Sequence, residues 1–399
     1  MNRKVLIVTS VASMIDQFII PSIKLLQTMG YDVDVATNFE KGSTCTSERI
    51  EELKKKLNEM SVDAFQIDFD RKITNIKGVV KAIKQLDEVL KGNKSTISGE
   101  RKHIQGEYAF VHCHSPIGGV VGRLVAKKNS IKSIYTAHGF HFYKKAPLKN
   151  WILFYPVEWF LSWITDVLIT INKEDYERSK RSLHAKKLYY VPGIGIDIKK
   201  FKSSNTNYGN KKNDLSLTDK NFIIFSVGEL NDNKNHSIII KALGELASEK
   251  PDIYKNVHYI IAGRGDLSEN LQNLAKEKGI KNQLHLLGFR TDVAELLQIA
   301  DIFALPSKRE GLNVSLMEAI VSGKYCLASN IRGNQDLIID EAIGCLVDSL
   351  DLQGWKNAIA HSVGRNRKND NSKRNEIISM ISSENIEKNM RIIYKEVTE

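Results

Sequence analysis

Ala304-Leu305-Pro306-Ser307-Lys308-Arg309-Glu310-Gly311-Leu312-Asn313-Val314-Ser315-Leu316-Met317-Glu318-Ala319 reads as a strand, a turn and a helix in direct succession. A buried strand ends at Leu305, Pro306 and Gly311 break regular structure, and Asn313 is a good N-cap for a helix that Gly323 can end. Free amides at such a helix start bind anions, so a diphosphate fits there. Glu310 then lies in the loop and Glu318 in the second helical turn. A carboxylate accepts two hydroxyl hydrogen bonds at once, which suits the vicinal diols of a ribose or a hexose. A plainer reading competes: Ser315, Glu318 and Ser322 share one helical stripe that would simply face water. Spacing alone does not choose between them.

On either side of this segment, short β-branched runs alternate with amphipathic stretches, the pattern of parallel-sheet α/β folds. It occurs twice. Strands are expected near Lys4–Thr9, Asp32–Thr37, Phe65–Phe69, Ala109–His114, Lys132–Thr136, Val167–Ile171 and Leu188–Val191, and again near Phe222–Ser226, His258–Ala262, Gln283–Leu287, Ile302–Leu305, Tyr325–Ala328 and Cys345–Val347. The expected fold class is therefore α/β, with two Rossmann-like doubly wound domains facing a cleft at their strand ends. Val191-Pro192-Gly193-Ile194-Gly195-Ile196-Asp197 and the polar stretch Ser203–Asp219 mark the boundary. This gives an acceptor domain over 1–198, a donor domain over 199–380, and a terminal helix over 381–399 returning to the first domain. Asn93–Gln105 reads as a surface loop.

A chain of 399 residues accommodates two domains, and 42% hydrophobic with 26% charged residues describes a globular protein rather than a disordered one. The four cysteines, Cys45, Cys113, Cys326 and Cys345, are widely separated, with no CxxC pair to suggest zinc or a disulfide framework. Val5–Val8 is too short for a signal-peptide core, so a cytoplasmic location is expected. The net charge of +11 lies wholly in residues 1–200, with 32 Lys+Arg against 21 Asp+Glu; the remainder holds 26 of each. That asymmetry fits an anionic partner, or ordinary solubilising lysine. A GxGxxG fingerprint is absent, which argues against a dinucleotide enzyme.

The 304–319 segment resembles the Glu-x7-Glu motif of retaining glycosyltransferase family 4, a group with the GT-B fold. Val227-Gly228, Lys234, Ala262-Gly263-Arg264-Gly265, Leu287-Gly288-Phe289, Ala300-Asp301, Pro306-Ser307 and Arg332-Gly333-Asn334 agree with it, over most of residues 221–347. The resemblance implies that Glu318 holds the ribose, that Glu310 approaches the transferred sugar, and that Lys234 neutralises the diphosphate. On its own Lys234 would read as a surface lysine before a helix over Asn235–Leu246. Gly228, Arg264, Lys308, Gly311, Leu312, Asn313 and Val314 complete the expected donor site. Where the family often has Gly-Arg this chain has Gly228-Glu229, so an anion replaces a usual phosphate-binding cation. Arg264, Lys308 and Arg309 are the candidates to replace its charge.

In the first domain, Tyr135-Thr136-Ala137-His138-Gly139-Phe140-His141-Phe142-Tyr143-Lys144 follows a strand and places His138 at the strand ends. A matching Thr-x-His-Gly histidine in family 4 lies beside the reacting sugar, so His138 joins Glu310 and Lys234 as a catalytic candidate. His112 and His114 alternate onto one strand face, but without a third ligand at useful spacing they do not make a metal site. Asp32-Val33-Asp34 and Asp68-Phe69-Asp70 lie in or beside strands and read as structural. No metal and no cofactor beyond a nucleotide-sugar donor substrate is expected. Ser10, Ser13 and His114 are the acceptor-side candidates, although the glycine-rich turn common in the family is missing after Thr9.

From Phe140 to Ile164 aromatics and leucines crowd together with Lys144, Lys145 and Lys149, interrupted by Pro156, Glu158 and Asp166. The run is a poor transmembrane helix. It suits either a headgroup interface or a helix buried between elements. Thr136–Phe142 and Ile169–Asp175 resemble the exopolysaccharide and capsular branch of family 4, which implies a UDP-hexose or UDP-N-acetylhexosamine donor, an undecaprenyl-diphosphate-linked or glycan acceptor, a peripheral place at the inner membrane face, and no nucleic acid. A nucleotide-sugar epimerase of the same architecture, and a degenerate subunit motivated by Glu229, are the rival readings.

Overall fold

A computed structural model describes residues 4–41, 45–70, 74–100, 107–202, 208–363 and 372–398. The chain divides into two compact units, one of Met1–Ile194 with Glu384–Glu399 and one of Gly195–Ser383.

The first unit holds a seven-stranded parallel sheet: β1 (Lys4–Val8), β2 (Asp32–Thr37), β3 (Asp63–Gln66), β4 (Tyr108–His114), β5 (Lys132–Ala137), β6 (Val167–Thr170) and β7 (Lys187–Tyr190), in the order β3-β2-β1-β4-β5-β6-β7. Val5, Leu6, Ile7 and Val8 are all fully buried, as a central strand covered on both faces requires. The final helix, Ser383–Thr398, sets Ile386, Met390, Ile393, Tyr394 and Val397 into one of the two cores that sandwich this sheet. Strand β3 stands two residues earlier than its apolar run suggests. Ile67 and Phe69 are buried but already turning, with the Phe69 amide donating to the Ile67 carbonyl at 2.8 Å.

The second unit repeats the plan with β8 (Phe222–Val227), β9 (Val257–Ala262), β10 (Leu284–Leu286), β11 (Ile302–Leu305), β12 (Tyr325–Ser329) and β13 (Gly344–Val347), in the order β10-β9-β8-β11-β12-β13. Both sheets reverse direction of build at one strand pair, β1 with β4 and β8 with β11. The loops leaving those four strands therefore splay apart at the carboxyl ends and leave room for a ligand. The expected α/β class, with two doubly wound parallel sheets, is what the molecule has.

The polar stretch after residue 202 is not wholly irregular. Residues 203–207 lie outside the described residues, but Tyr208–Asp214 is a helix whose Lys211 pairs with Asp292 and Glu295 at 2.5 and 2.7 Å. A lysine-rich segment with little apolar content takes its place through charge partners rather than a core. In the expected loop Asn93–Gln105, residues 101–105 are likewise outside the described set, while the Ile97 amide donates to the Ala64 carbonyl beside β3.

Candidate active site

In the second unit the loops after β8 and β11 are laced together. The Lys308 amide donates to the Asn233 carbonyl at 2.8 Å, and Asn233 Nδ2 to the Arg309 carbonyl at 3.0 Å. Asn235 closes the first loop in the left-handed region, φ +55°, with its side-chain amide shared between the carbonyls of Pro306 and Ser349. Asparagine tolerates that conformation better than most residues. The result directs Lys234 Nζ onto Glu310 Oε1 at 2.7 Å, with both side chains largely shielded from solvent. Lys234 is not a free surface lysine.

Glycine permits the close approaches around this pair. A Cβ on Gly228 would lie 3.1 Å from Cδ and Cε of Lys234, one on Gly263 would sit 1.8 Å from the Gly228 carbonyl oxygen, and one on Gly333 would reach 2.0 Å from that of Gly311. Arg332, buried beside Gly333, donates from Nε to the Glu310 carbonyl at 3.2 Å. Its role in fixing the loop was not among the expected site assignments, because nothing in a lone Arg-Gly-Asn shows which carbonyl it will meet.

Asn313 caps the helix Val314–Val321: its Oδ1 accepts from the Leu316 amide at 3.1 Å and from Ser315 Oγ at 2.7 Å. The amides of Val314 and Ser315 stand at the positive end of that helix, flanked by Gly311 and the buried Leu312. Glu318 does not face bulk water. Burial pushes its carboxyl up to about 7, opposed by the charge of Lys200 in the short helix Ile198–Lys202. The stripe it shares is shielded too, for Ser315 is buried and Ser322 Oγ is enclosed without a hydrogen-bond partner among the described residues.

The cations proposed to compensate for Glu229 are arranged otherwise. Lys308 turns to the exposed Asp232 at 2.7 Å, a surface pair of little energetic weight. Arg264 is exposed, with its guanidinium 6.0 Å over the Phe289 ring, and Arg309 is exposed. Glu229 itself accepts from Asn231 at 2.9 Å. Lys234 and Arg332 instead meet Glu310, one at its carboxylate and the other at its carbonyl.

In the first unit the corresponding loops meet through hydroxyls. Ser115, in the left-handed region at φ +64°, donates from Oγ to Ser10 Oγ at 2.9 Å and accepts the Ser10 amide at 3.3 Å. Ser13 is buried in the next turn, where Ala12–Met14 runs into a π-helical segment, Ile15–Ile19. Such wide turns are uncommon and concentrate at functional sites.

Three imidazoles lie beside these serines. His114 Nδ1 stands 3.1 Å from His138 Nε2, and the rings of His112 and His114 are 4.1 Å apart on one strand face. His112 in turn contacts Thr136 Oγ1 at 2.8 Å and Tyr394 Oη at 3.1 Å. Burial holds all three neutral, His112 down to about 3, His138 to about 4 and His114 well below the usual range. His114 Nε2 is buried with no partner among the described residues. The third imidazole that spacing failed to supply is thus His138, but its nitrogen is hydrogen-bonded to His114 rather than aimed with it at a common point. The two Asp pairs serve the framework: Asp34 is bound by Lys4 at 2.9 Å and by Tyr108, and Asp68 by Lys81 at 2.6 Å. Among the described residues no group of three metal-ligating side chains converges.

Residues 208–380 match the family model described as Glycosyl transferases group 1, and residues 102–172 the model described as Glycosyl transferase 4-like. The chain is 32% identical over 352 residues to the protein of Bacillus subtilis named Putative glycosyltransferase EpsD, spanning 87% of this chain and 84% of that one. It is 30% identical over 275 residues to the Escherichia coli UDP-Gal:alpha-D-GlcNAc-diphosphoundecaprenol alpha-1,3-galactosyltransferase, spanning 68% and 70%. Its fold is similar to that of Anabaena Alr3699/HepE in complex with UDP and glucose, with a TM-score of 0.74 at 17% identity over 99% of this chain and 100% of that one. With relatives of this extent and two doubly wound sheets, the chain belongs to the group 1 glycosyltransferases and has the GT-B fold.

Proposed function

We propose that this glycosyltransferase works with retention of anomeric configuration, moving a hexose or N-acetylhexosamine from a UDP-linked donor to an undecaprenyl-diphosphate-linked sugar or glycan in the synthesis of bacterial surface polysaccharide. It acts at the inner face of the cell membrane and without a metal. The observation that carries this reading is the convergence of Lys234, Glu310 and the capped start of Val314–Val321 at the switch point of one sheet, with Glu318 shielded on the same helix. The name of the Escherichia coli relative, with its UDP-galactose donor and diphosphoundecaprenol acceptor, supports the substrate classes. The UDP complex of the Anabaena protein supports the nucleotide.

In this reading the diphosphate lies over the amides of Val314 and Ser315, where the helix end and Lys234 stabilise the charge that grows as the glycosidic bond breaks. Glu310 takes a hydroxyl of the moving sugar, Glu318 the ribose diol, and His138, as a neutral imidazole, a further sugar hydroxyl. Ser10, Ser13 and His114 line the acceptor side. The acceptor oxygen attacks from the face the diphosphate leaves, and its proton passes to the departing phosphate oxygen, so no covalent enzyme intermediate is needed.

Thermal stabilisation against UDP- and GDP-sugars identifies the donor. Transfer from that donor to a short-chain undecaprenyl diphosphate sugar, with the new anomeric centre read by NMR, then tests the chemistry. A product of opposite configuration, or conversion of the donor to its epimer with no acceptor consumed, refutes the proposal.

A further inference from the structure

The helix Leu148–Ser162 is apolar on two opposite sides. Its inner side is accounted for. Trp151, Phe154 and Tyr155 pack on the core of the first unit, and Glu158, the only carboxylate in the helix, is buried against Arg123 at 2.8 Å and Tyr135 Oη at 3.0 Å. Its outer side is not. Leu148 is 73% exposed, Ile152 69%, Phe160 64%, Trp163 57%, and Leu153 and Trp159 about as much as two-fifths. At 100° per residue these six fall within one stripe, bordered by His184, whose ring stacks on Trp163 at 3.9 Å and meets Trp159 edge-on at 5.7 Å, while most of their surface stays open.

The outward charges of the segment Lys144–Ser162 are of one sign, with Glu174 of a neighbouring helix accepting the Lys144 amide at 2.6 Å. Lys144, Lys145 and Lys149 are exposed at its start, and with Glu158 turned inward the helix presents no negative charge outward. Exposed tryptophans and phenylalanine bordered by lysine fit the boundary between headgroups and acyl chains, where the rings enter and the ammonium groups snorkel to phosphate. A second copy of the chain fits less well, because the same stripe on it offers those lysines no anionic group, which lipid headgroups supply. A helix of 15 residues, about 22 Å long, lies on a bilayer rather than across it, and among the described residues no helix is long and apolar enough to span one.

We infer that this outer stripe is seated on an anionic lipid surface, and that the helix holds the His138 loop against that surface. The loop is fastened to the inner side of the same helix. The His141 ring stacks on Phe154 at 4.4 Å, Phe142 contacts Trp151 and Tyr155 at 5.7 and 5.3 Å, and Asn150 Nδ2 donates to the His141 carbonyl at 3.1 Å. One helix thus carries the bilayer on one face and the histidine loop on the other. The inference deepens the lipid-linked acceptor reading but stands on the helix alone.

The test is co-sedimentation of the full chain with vesicles of phosphatidylcholine alone and of phosphatidylcholine with phosphatidylglycerol. Binding is expected to the anionic vesicles and to weaken with salt. Phe160→Asp with Trp163→Asp should reduce it about tenfold or more by removing inserted rings, and Lys144→Glu with Lys149→Glu should abolish the preference for anionic lipid. Each variant should keep the wild-type melting temperature and its transfer to a water-soluble acceptor, while losing activity on a vesicle-embedded one. If the aspartate pair lowers the melting temperature, Phe160→Ser with Trp159→Gln replaces it. Unchanged vesicle binding in these variants overturns the inference, as does a wild-type dimer by light scattering that Phe160→Asp dissociates. Vesicle binding without stabilisation by any nucleotide sugar would sink the donor assignment and leave this one standing.

Discussion

Lys234 Nζ and Glu310 Oε1 are 2.7 Å apart across the two loops at which the second sheet reverses its order of build. The pair neutralises itself in the ligand-free protein. A bound donor diphosphate would compete for the ammonium and free the carboxylate for a sugar hydroxyl, so the two residues act as one unit.

Removing Lys234 should then remove most of what both contribute. Lys234→Ala is expected to lower kcat/KM by about 10²- to 10³-fold, the scale of losing one group that stabilises developing charge. Glu310→Gln should fall by about tenfold or more, and the double variant should be little worse than Lys234→Ala alone. A double-mutant cycle on kcat/KM measures this, and strictly additive losses would contradict the coupling.

Glu318 makes a prediction about protons. Burial raises its carboxyl to about 7 in the free protein, so a good part of it is protonated at neutrality. Hydrogen bonds from ribose hydroxyls favour the ionised form and lower the value, so donor binding at pH 7 should release a fraction of a proton. Titration calorimetry in buffers of different ionisation enthalpy reads that fraction directly, and affinity should rise from pH 6 to pH 8. Glu318→Gln should bind more weakly and lose both effects. For stability the sign is opposite: a carboxyl raised when folded favours the fold fully below its unfolded value near 4.5, and that contribution is lost as pH rises through 7.

Most of the second unit's framework was legible in the sequence because local signals governed it. The run Ile302–Leu305, the cap at Asn313 and the stop at Gly323 each act within a few residues, and all appear at those positions. The surroundings of Lys308 were not legible for the same reason: its motif position says nothing of Asp232, which a separate loop carries to it. Arg332 and Tyr394 show the limit more plainly. Arg332 meets the Glu310 carbonyl 22 residues away and Tyr394 meets His112 across 282, so their roles exist only once the sheets are closed. The aromatic run at Phe140–Ile164 left a buried helix and an interfacial one equally open, and the folded chain has a helix with one side packed on the core and one apolar side exposed.

Gly333 tests how far the site rests on backbone contact. Its φ is +77°, and an added Cβ would stand 2.0 Å from the Gly311 carbonyl oxygen, a backbone atom that moves only with the Glu310 loop. Gly333→Ala should cost about 1 to 3 kcal/mol of stability by urea denaturation. It should also weaken donor binding, because the loop must shift away from Lys234. Gly323, at φ +74° with open space around it, is the control: Gly323→Ala should cost stability from strain alone and leave donor affinity unchanged.

His138 should work without titrating near neutrality. Its Nε2 is occupied by His114, and burial lowers its value to about 4, which leaves Nδ1 of a neutral ring for a sugar hydroxyl. The pH profile of kcat/KM should therefore show an arm near 7 from Glu318 and none near 6.5 from histidine. His138→Gln should slow transfer about tenfold or more while leaving that arm in place. His114→Ala, which frees Nε2 and lets the ring turn, should lower transfer without abolishing it. Folding adds an independent check. A histidine held neutral contributes stability that is complete above its unfolded value of 6.5 and is lost as pH falls toward the folded one, so His112, at about 3, should weaken the fold by on the order of 1 to 2 kcal/mol at pH 5. His112→Gln should flatten the fall of the melting temperature between pH 7 and pH 5. A histidine titration near 6.5 in the NMR spectrum of the wild-type protein, absent from the His138→Gln variant, would show that the ring is hydrated and charged, and would remove His138 from the role given to it.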